Sequence, residues 1–230
     1  MIQPTVSVVI PVYNEEKYIE ACLNSLKNQT EAPQEVIVVD NNSTDRTVAI
    51  AEKFDVKIIH ESRQGRVFAM RAGFDHAKGD LIARLYADSR ADTDWIRNIK
   101  KIFGDSKVVA ASSHIYIYDF PFFFRTLIPS RVVYWIVAFI IGKIPLYGPN
   151  LVVRKTAWKK VREQICLDES RIHDDIDLSI HIEKYGKVVF LKTPLVGTSS
   201  RHVTQDPVTF FIEYPIRLLK MRVDHNGRQN

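Results

Sequence analysis

The first hundred residues alternate between short apolar runs and segments whose apolar positions recur at helical spacing. The apolar runs predict strands at Val6–Val12, Glu35–Val39, Val56–His60 and Leu81–Leu85. The helical spacing predicts helices between them, at Glu15–Asn28, Thr44–Phe54 and Phe68–Ala77. Repeated strand–helix units with short connections favour a mainly parallel sheet covered by helices. The sequence therefore predicts an α/β fold, in which ligands bind at the carboxyl ends of the strands.

The second half of the chain has a less regular pattern. Residues Val108–Phe120 alternate as a strand does. Residues Asp174–Gly186 are ambiguous, because their apolar positions also alternate, whereas their length, acidic start and closing glycine are typical of a helix. We predict the helix. No internal repeat or linker interrupts the chain, so a single domain is expected.

Two apolar segments raise the question of membrane contact. Val132–Gly142 is shorter than the roughly 20 apolar residues that span a bilayer. It is either a buried core helix or an interfacial segment, beside the aromatic run Phe120–Phe124 and the basic Arg125 and Arg131. The tail, 207–222, mixes apolar and basic residues and is either a core helix or an amphipathic helix on an anionic membrane. The sequence slightly favours the membrane.

Composition narrows the class of partner. A formal charge of +5 and a pI near 9.1 favour anionic partners such as phosphates, but are too mild to indicate nucleic acid. Cys22 and Cys166 are far apart and follow no metal-binding pattern, which predicts free thiols in a reducing compartment. The opening apolar run contains Pro11 and no basic leader, so it is expected to be a strand that ends there, not a signal peptide. We therefore expect a cytoplasmic protein, with any membrane contact at the inner face.

Polar and aromatic residues follow three of the predicted strands. Tyr13, Asp40 and Asp88 each lie just past a strand. Taken singly they have ordinary explanations: Asp40 and the following NNSTDRT suit a turn and a helix cap, and Tyr13 could belong to the core. Glu15 could simply begin a helix. The order of these segments along the chain is more specific than any one of them.

Four segments occur in order and at compatible spacing: VSVVIPVYNEEKYIEACLNSLKNQT, EVIVVDNNSTDRT, RQGRVFAMRAGFDHAKGD and ADSRADTDWI. Together they resemble the nucleotide-binding half of family 2 glycosyltransferases of the GT-A fold. Two later segments, YGPNLVVRKTAW and HDDIDLSIHIEKYGKV, resemble the acceptor half of that family, so the resemblance covers roughly residues 5–202. It implies one domain with a Rossmann-like sheet, divided into a nucleotide-sugar half (about 5–95), a mixed acceptor half (about 96–202) and a C-terminal amphipathic helix (about 207–222).

The resemblance also implies roles for individual residues. Tyr13 corresponds to the residue whose ring stacks on the nucleotide base, and Asp40 to the acid that accepts a hydrogen bond from that base. With Arg66, these positions slightly favour uridine over guanosine. The implied donor-binding set is Pro11, Tyr13, Glu15, Asp40, Asn42, Arg66, Ala87, Asp88 and Arg201.

The remaining implied roles concern the cation and the acceptor. Asp88 matches the last acid of the D-x-D motif, which ligates Mg²⁺ or Mn²⁺, and His202 is a second candidate ligand. Asp175 matches the catalytic base and Asp174 its partner, while Asn150 matches a loop position near the donor sugar or the acceptor. The reaction needs an acid that binds the cation, because the cation offsets the charge of the leaving diphosphate. It needs a second acid as the base that removes the proton of the acceptor hydroxyl.

One position departs from the family pattern. Tyr86 stands where the first acid of the D-x-D motif is usual. The implied activity is inverting, metal-dependent transfer from a nucleotide-diphosphate sugar, with UDP favoured, to a glycan or lipid-linked acceptor. Tyr86 leaves open the alternative of a nucleotide-sugar-binding protein with weak or no catalysis. A dinucleotide oxidoreductase is disfavoured, because no G-x-G-x-x-G follows the first strand, and the lead into PVYNEE disfavours a nucleotidyltransferase.

Overall fold

The computed structural model describes residues 3–119, 128–205 and 208–227; of residues 128–130, 194, 202, 203, 210, 211 and 223–227 it describes the backbone alone. The described strands are β1 (Val6–Val12), β2 (Glu35–Asp40), β3 (Lys57–His60), β4 (Leu81–Leu85), β5 (Ser89–Ala91), β6 (Val108–Ile117), β7 (Asn150–Arg154) and β8 (Lys187–Thr198). The described helices are α1 (Ile19–Lys27), α2 (Thr47–Ala51), α3 (Arg66–His76), α4 (Trp95–Ile102), α5 (Ile128–Ile141), α6 (Lys155–Val161), α7 (Asp174–Ile182), α8 (Arg201–Thr204) and α9 (Tyr214–Gly227). A 3₁₀ turn, Glu183–Tyr185, follows α7, and a π-helical turn, Thr209–Glu213, leads into α9.

All eight strands belong to one sheet, in the order β3-β2-β1-β4-β7-β6-β8-β5. Strands β3, β2, β1 and β4 run parallel, as the alternating pattern predicts. Strand β7 is antiparallel to both β4 and β6, and β5 is antiparallel to β8. The parallel α/β half and the mixed second half are thus both confirmed, and β7 joins them at the centre of the sheet.

The central strands are apolar because helices cover both of their faces. Successive residues of a strand point to opposite faces, and in β1 Val8 and Ile10 pack in the core under α1 and α4, whereas Val9 packs in the core under α3 and α6. Trp95 of α4 and Trp158 of α6 are the largest fully buried side chains of these two cores. The carboxyl ends of β1, β2 and β4 are thereby held at one edge of the sheet.

Several predicted boundaries shift by a few residues. Strand β1 continues through Pro11 to Val12, because its pairing with β4 ends at Val9 and the missing N–H of Pro11 is not needed beyond it. Helix α1 begins at Ile19 and not at Glu15, since a turn precedes it. The helix predicted over Asp174–Gly186 is confirmed, with its last turn in the 3₁₀ form.

The apolar segment of the second half forms α5, which is only partly covered. Tyr134 and Val137 are buried, and Val137 packs with Leu218 of α9. By contrast, the side chains of Trp135 and Phe139 are 69% and 83% exposed. In the described part of the chain, no helix combines the length and the apolar character needed to cross a bilayer. The aromatic run Phe120–Phe124 lies outside the described residues.

Both cysteines are free thiols, as predicted, with Cys22 buried and Cys166 partly buried. Burial raises the pKa of Cys22, and the nearby carboxylates of Asp88 and Glu15 raise it further. The Cys22 thiol donates to the carbonyl of Tyr86 at 3.4 Å, so this side chain belongs to the packing of α1 against the end of β4.

Gly73 allows α3 to lie directly on the sheet, and Gly73→Ala tests this contact. A β carbon at Gly73 would lie 2.3 Å from Val9 Cγ1 and 2.8 Å from Val39 Cγ2. We expect Gly73→Ala to lower the free energy of unfolding by about 1–3 kcal/mol through overpacking. On an open helix face the same change would stabilise by about 1 kcal/mol. Urea unfolding gives the sign, and a higher midpoint for the variant would contradict this packing.

Candidate active site

The carboxyl ends of β1 and β2 bring Tyr13 and Asp40 to the same edge of the sheet. Val12 pairs with Asp40 across these strands, and Tyr13 follows with 51% of its side chain exposed. Asp40 is buried, accepts a hydrogen bond from the Ser43 N–H at 3.1 Å and lies 3.1 Å from Nδ1 of His60. An exposed aromatic ring beside a buried carboxylate suits the stacking and hydrogen bonding of a planar heterocycle.

Side-chain hydrogen bonds fix the loop that carries Tyr13. Asn14, in the left-handed region at φ 55°, accepts from the Thr44 N–H at 2.8 Å and donates its own N–H to the Ser43 hydroxyl at 3.1 Å. The Glu15 N–H donates to the Thr47 hydroxyl at 2.7 Å. The loops after β1 and β2 are therefore one bonded unit, and the Asn-rich sequence after Asp40 serves this purpose.

A second set of amide contacts orders the loop before α3. Asn41 donates to the carbonyls of Glu61 and Arg63 at 2.7 Å each and accepts from the Gly65 N–H at 2.7 Å. Asn42, at φ 69°, donates to the carbonyl of Ser62 at 3.0 Å. These bonds set the start of α3, where the exposed Arg66 lies. The sequence did not single out Asn41, although an Asn directly after a strand-end acid is a signal for such a brace.

Asp88 and Glu15 lie against the same guanidinium group, that of Arg201. Strand β5 pairs Ser89 with Thr198 of β8, which brings the start of α8 to the end of β4. Arg201 Nε donates to Asp88 Oδ2 at 2.7 Å, and Nη2 donates to Glu15 Oε1 at 2.5 Å. The guanidinium also lies 4.6 Å from the centre of the Tyr18 ring. Three predicted donor-site residues are thus brought into contact.

This cluster is almost dry. The Asp88 side chain is fully buried, and those of Glu15 and Arg201 are 13% and 18% exposed. Burial raises the pKa of Glu15, although Arg201 opposes this effect. Glu15 Oε2 is buried with no hydrogen-bond partner among the described residues. Two carboxylates with one guanidinium therefore leave a buried oxygen atom available to a further cation.

The residues present fit a divalent cation in their chemistry. Carboxylate oxygens are the ligands that Mg²⁺ and Mn²⁺ prefer, and Asp88 and Glu15 provide them. No group of three or more His, Cys, Asp or Glu side chains within the described ranges is placed to hold a metal by itself. The side chain of His202 lies outside the described residues, so its predicted contact stays a prediction.

The acid pair at the start of α7 is held by β4 and by the loop before β7. Asp174 forms a buried ion pair with Arg84, whose Nε donates to the carbonyl of Gly148 at 3.0 Å. Asp175 Oδ2 accepts from the Gly148 N–H at 2.8 Å, and its Oδ1 accepts from the Ile176 N–H at 2.9 Å. Arg84 was not among the predicted site residues, although a lone charge inside the apolar strand LIARL is a signal for such a role.

The two acids of this pair differ in their proton affinity. Burial opposes ionisation of Asp174, but the guanidinium groups of Arg84 and Arg66 outweigh it and lower its pKa. Burial and the Asp174 carboxylate raise the pKa of Asp175, against the effect of Arg84. Environments that separate the pKa values of two neighbouring carboxyl groups are typical of acid–base sites. Asp174 is thus suited to remain charged, and Asp175 to take up a proton.

Tyr86 packs toward this acid pair. A β carbon at Gly148 would lie only 2.1 Å from the Tyr86 hydroxyl oxygen, so the absence of a side chain at Gly148 makes room for the phenol. The Arg84 guanidinium lies 5.2 Å from the centre of the Tyr86 ring. Burial raises the pKa of Tyr86, so the phenol is neutral at physiological pH. The residue in place of the first D-x-D acid therefore supports Arg84 and the loop at Gly148.

Asn150 is turned into the protein. Its Oδ1 accepts from Trp95 Nε1 at 2.9 Å, and its Nδ2 donates to the Ser113 hydroxyl at 2.5 Å. The residue is buried between α4 and β6. Its predicted contact with the donor sugar or acceptor stays a prediction and would require the amide to exchange one of these partners. Of the other predicted donor residues, Pro11 is partly buried and Ala87 is buried next to Asp88.

Two solved structures share this architecture. The mannosyltransferase PcManGT from Pyrobaculum calidifontis, in complex with GDP-Man and Mn²⁺, matches with a TM-score of 0.72 and 20% identity, over 99% of this chain and 65% of that chain. S. aureus TarS 1-349, in complex with UDP-GlcNAc, matches with a TM-score of 0.67 and 20% identity, over 94% and 66% of the two chains. Likeness at this identity establishes the fold, which is the GT-A fold of glycosyltransferases.

The family follows from the sequence itself. Residues 7–157, more than half of the chain, match the family described as Glycosyl transferase family 2, and the chain belongs to that family. EpsH of Bacillus subtilis, named a putative glycosyltransferase, is 36% identical over 107 residues, 44% of this chain and 31% of its own. A dolichyl N-acetyl-alpha-D-glucosaminyl phosphate 3-beta-D-2,3-diacetamido-2,3-dideoxy-beta-D-glucuronosyltransferase of Methanococcus voltae is 29% identical over 102 residues, 40% and 32% of the two chains. The chain thus aligns with about a third of the length of these relatives.

The buried pair of Arg84 and Asp174 gives a prediction on stability. Asp174→Asn leaves a buried guanidinium without its counterion, and we expect a loss of about 3–5 kcal/mol in the free energy of unfolding at pH 7. Folding lowers the pKa of Asp174, so the ionised Asp174 carboxylate stabilises the folded protein at pH values above its unfolded pKa of about 3.9. This stabilisation is lost as the pH falls below that value and through the lower pKa of the folded protein. The stability gap between wild type and variant should therefore narrow below about pH 4.

Asp168→Asn is the matched control for this measurement. The Asp168 carboxylate accepts from Ser170 in an exposed loop, so its loss should leave the free energy of unfolding at pH 7 close to that of wild type. Denaturant unfolding from pH 3 to pH 7 measures both variants. A gap for Asp174→Asn that is equally large at both ends of this range would contradict the assignment of the charge to Asp174.

Proposed function

We propose that this protein is an inverting, cation-dependent hexosyltransferase that moves a sugar from a nucleotide-diphosphate sugar, with UDP favoured, to an acceptor hydroxyl. The observation that carries the proposal is the separation of two acidic centres. Asp88 and Glu15 lie with Arg201 at the end of β4, whereas Asp174 and Asp175 lie at the start of α7. Membership of family 2 and the nucleotide sugars named for the similar structures support the donor class.

The donor would lie across the ends of β1, β2 and β4. Its base would stack on the exposed ring of Tyr13 and donate to Asp40, which are predicted contacts. Its diphosphate would face Arg201 and Asp88. A divalent cation bound there, with Asp88 and His202 as predicted ligands, would offset the charge of the leaving diphosphate. The similar structures contain both GDP and UDP sugars, so the preference for uridine rests on Tyr13, Asp40 and Arg66.

Transfer needs a base on the acceptor side. The acceptor oxygen attacks C1 of the sugar, the bond from C1 to the diphosphate oxygen breaks, and the acceptor proton passes to Asp175. A single displacement of this kind inverts the anomeric centre. Asp174, which is charge-paired with Arg84, supplies a fixed negative charge beside Asp175 and favours proton uptake there. The Gly148 N–H holds the orientation of the Asp175 carboxylate.

A catalytically inactive nucleotide-sugar-binding protein is the second candidate. The specific observation in its favour is Tyr86, which removes one carboxylate from the D-x-D motif. Both candidates bind the donor. They differ in whether the acid pair on α7 affects a measurable transfer rate.

Asp175→Asn is the variant that separates these functions. Asn retains the shape and an oxygen that can accept from Gly148 but cannot take the acceptor proton. We expect the donor affinity to be unchanged and the transfer rate to fall by roughly 10²–10⁴-fold. Calorimetry with the nucleotide and release of nucleotide diphosphate measure the two quantities, with Asp168→Asn as the surface control. Transfer at the wild-type rate would place the base elsewhere.

The acceptor proposal includes an anionic membrane surface. From Val132 to Ile141 every residue of helix α5 is apolar or aromatic, and a helix that is apolar on all sides is ordinarily buried or docked. Here one side packs against α9, and Val132, Ile136 and Phe139 are more than half exposed. Basic side chains on α9, the helix that packs against α5, are also exposed: Lys220 and Arg222. We therefore propose that the protein acts at the inner face of the cell membrane on a lipid-linked or envelope glycan.

Vesicle sedimentation tests this placement. Trp135→Ser with Phe139→Ser removes two exposed aromatic side chains, and each is worth up to about 1.5–3 kcal/mol if it enters the bilayer. We expect the double variant to bind phosphatidylglycerol vesicles at least about tenfold more weakly than wild type. Leu167→Ser, at an exposed apolar residue outside α5 and α9, should bind as wild type does. Equal binding by all three proteins would remove the membrane from the proposal.

A further inference from the structure

Arg201 holds one oxygen of each of the two carboxylates, Asp88 and Glu15, that could ligate a divalent cation. Its Nε lies 2.7 Å from Asp88 Oδ2 and its Nη2 lies 2.5 Å from Glu15 Oε1. Arg201 is 113 residues from Asp88 and 186 residues from Glu15 in the sequence, so the tertiary fold, and not a local turn, brings these side chains together. The guanidinium also lies over the ring of Tyr18, which supports it from one face.

The Glu15 carboxylate is incompletely satisfied in this arrangement. It is nearly buried, and its Oε2 has no hydrogen-bond partner among the described residues. A buried carboxylate oxygen without a partner is costly. A divalent cation would balance both carboxylates, whereas a guanidinium balances one. Like charges repel, so Arg201 and the cation would not share the same pair of carboxylates at close range.

We propose that Arg201 and the divalent cation exchange at this site. In the donor-free protein the guanidinium is the counterion of Asp88 and Glu15; when the cation and the nucleotide bind, Arg201 releases the carboxylates and binds the diphosphate. The inference rests on the proposed function, because it assumes that a nucleotide diphosphate binds here. It adds that Arg201 opposes cation binding in the absence of the nucleotide and favours nucleotide binding once the cation is present.

The exchange makes two predictions of opposite sign for one variant, Arg201→Gln. When a protein group must leave a site before a ligand binds, the apparent affinity falls by the fraction of protein in which the site is free. Without nucleotide, Arg201→Gln should therefore bind Mn²⁺ about tenfold more tightly than wild type. At saturating Mn²⁺ it should bind UDP about tenfold or more weakly, because a charged donor to the diphosphate is lost.

The measurements are Mn²⁺ titration followed by electron paramagnetic resonance, and calorimetry with UDP. Arg162→Gln is the matched control, since it removes one positive charge at a partly exposed position paired with Asp75 and Glu163. It should equal wild type in both titrations. Thermal unfolding shows whether Arg201→Gln is folded. If it is not, Arg201→Lys replaces it, because a lysine ammonium cannot bridge both carboxylates and should give the same two signs with smaller changes.

The outcomes separate the two proposals. Tighter Mn²⁺ binding together with weaker UDP binding supports the exchange. Mn²⁺ binding no tighter than wild type, including no binding by either protein, contradicts it even if UDP binds. If Mn²⁺ and UDP both bind more weakly, Arg201 only organises the site and does not compete with the cation. If wild-type protein binds neither UDP nor GDP at any Mn²⁺ concentration, the proposed function itself fails.

Discussion

The buried ion pair of Arg84 and Asp174 joins the two halves of this molecule. Arg84 belongs to a strand of the parallel half, and Asp174 begins the helix that carries the acid pair of the other half. Both side chains are almost completely buried, so neither can be lost without leaving a charge in the protein interior. The position of Asp175, the loop at Gly148 and the placement of Tyr86 all depend on this contact.

Pairing of charges gives the two acidic centres different properties. At the start of α7 the Arg84 guanidinium pairs with Asp174 and lowers its pKa, whereas burial and the Asp174 carboxylate raise the pKa of Asp175. At the end of β4 one guanidinium is divided between Asp88 and Glu15. The first centre thus favours a proton and the second a cation. That division is the physical basis of the proposed reaction. In this reaction the acceptor hydroxyl gives its proton to a carboxylate at the first centre, and the nucleotide diphosphate leaves at the second.

The extent to which the sequence predicts this structure differs between elements. Strands β1, β2 and β4 were predicted well because both of their faces are buried and their apolar runs are continuous. The start of α1 was predicted four residues early, at Glu15 and not Ile19, because side-chain bonds to Asn14 and Glu15 hold a turn that local spacing does not reveal. The residues of the candidate site were predicted from the resemblance to family 2 glycosyltransferases. A single residue such as Asp40 does not indicate a binding site, because acids are also common in turns.

Other features depend on contacts between residues far apart in sequence. Arg84 and Asp174 are 90 residues apart, and no local pattern pairs them, although a charge within an apolar strand was an available signal. The internal partners of Asn150, Trp95 and Ser113, lie on elements that only the sheet topology brings together. The contact of Arg201 with both Asp88 and Glu15 likewise requires the antiparallel pairing of β5 with β8.

Release of nucleotide diphosphate from a panel of nucleotide sugars tests whether the protein is a cation-dependent glycosyltransferase. The purified protein would be incubated with UDP and GDP sugars, with Mg²⁺, with Mn²⁺ and with a chelator. We expect release of UDP from at least one UDP sugar, and we expect this release to require the cation and to be suppressed by the chelator. Donor binding without release from any sugar under any of these conditions would contradict catalysis and leave a nucleotide-sugar-binding protein.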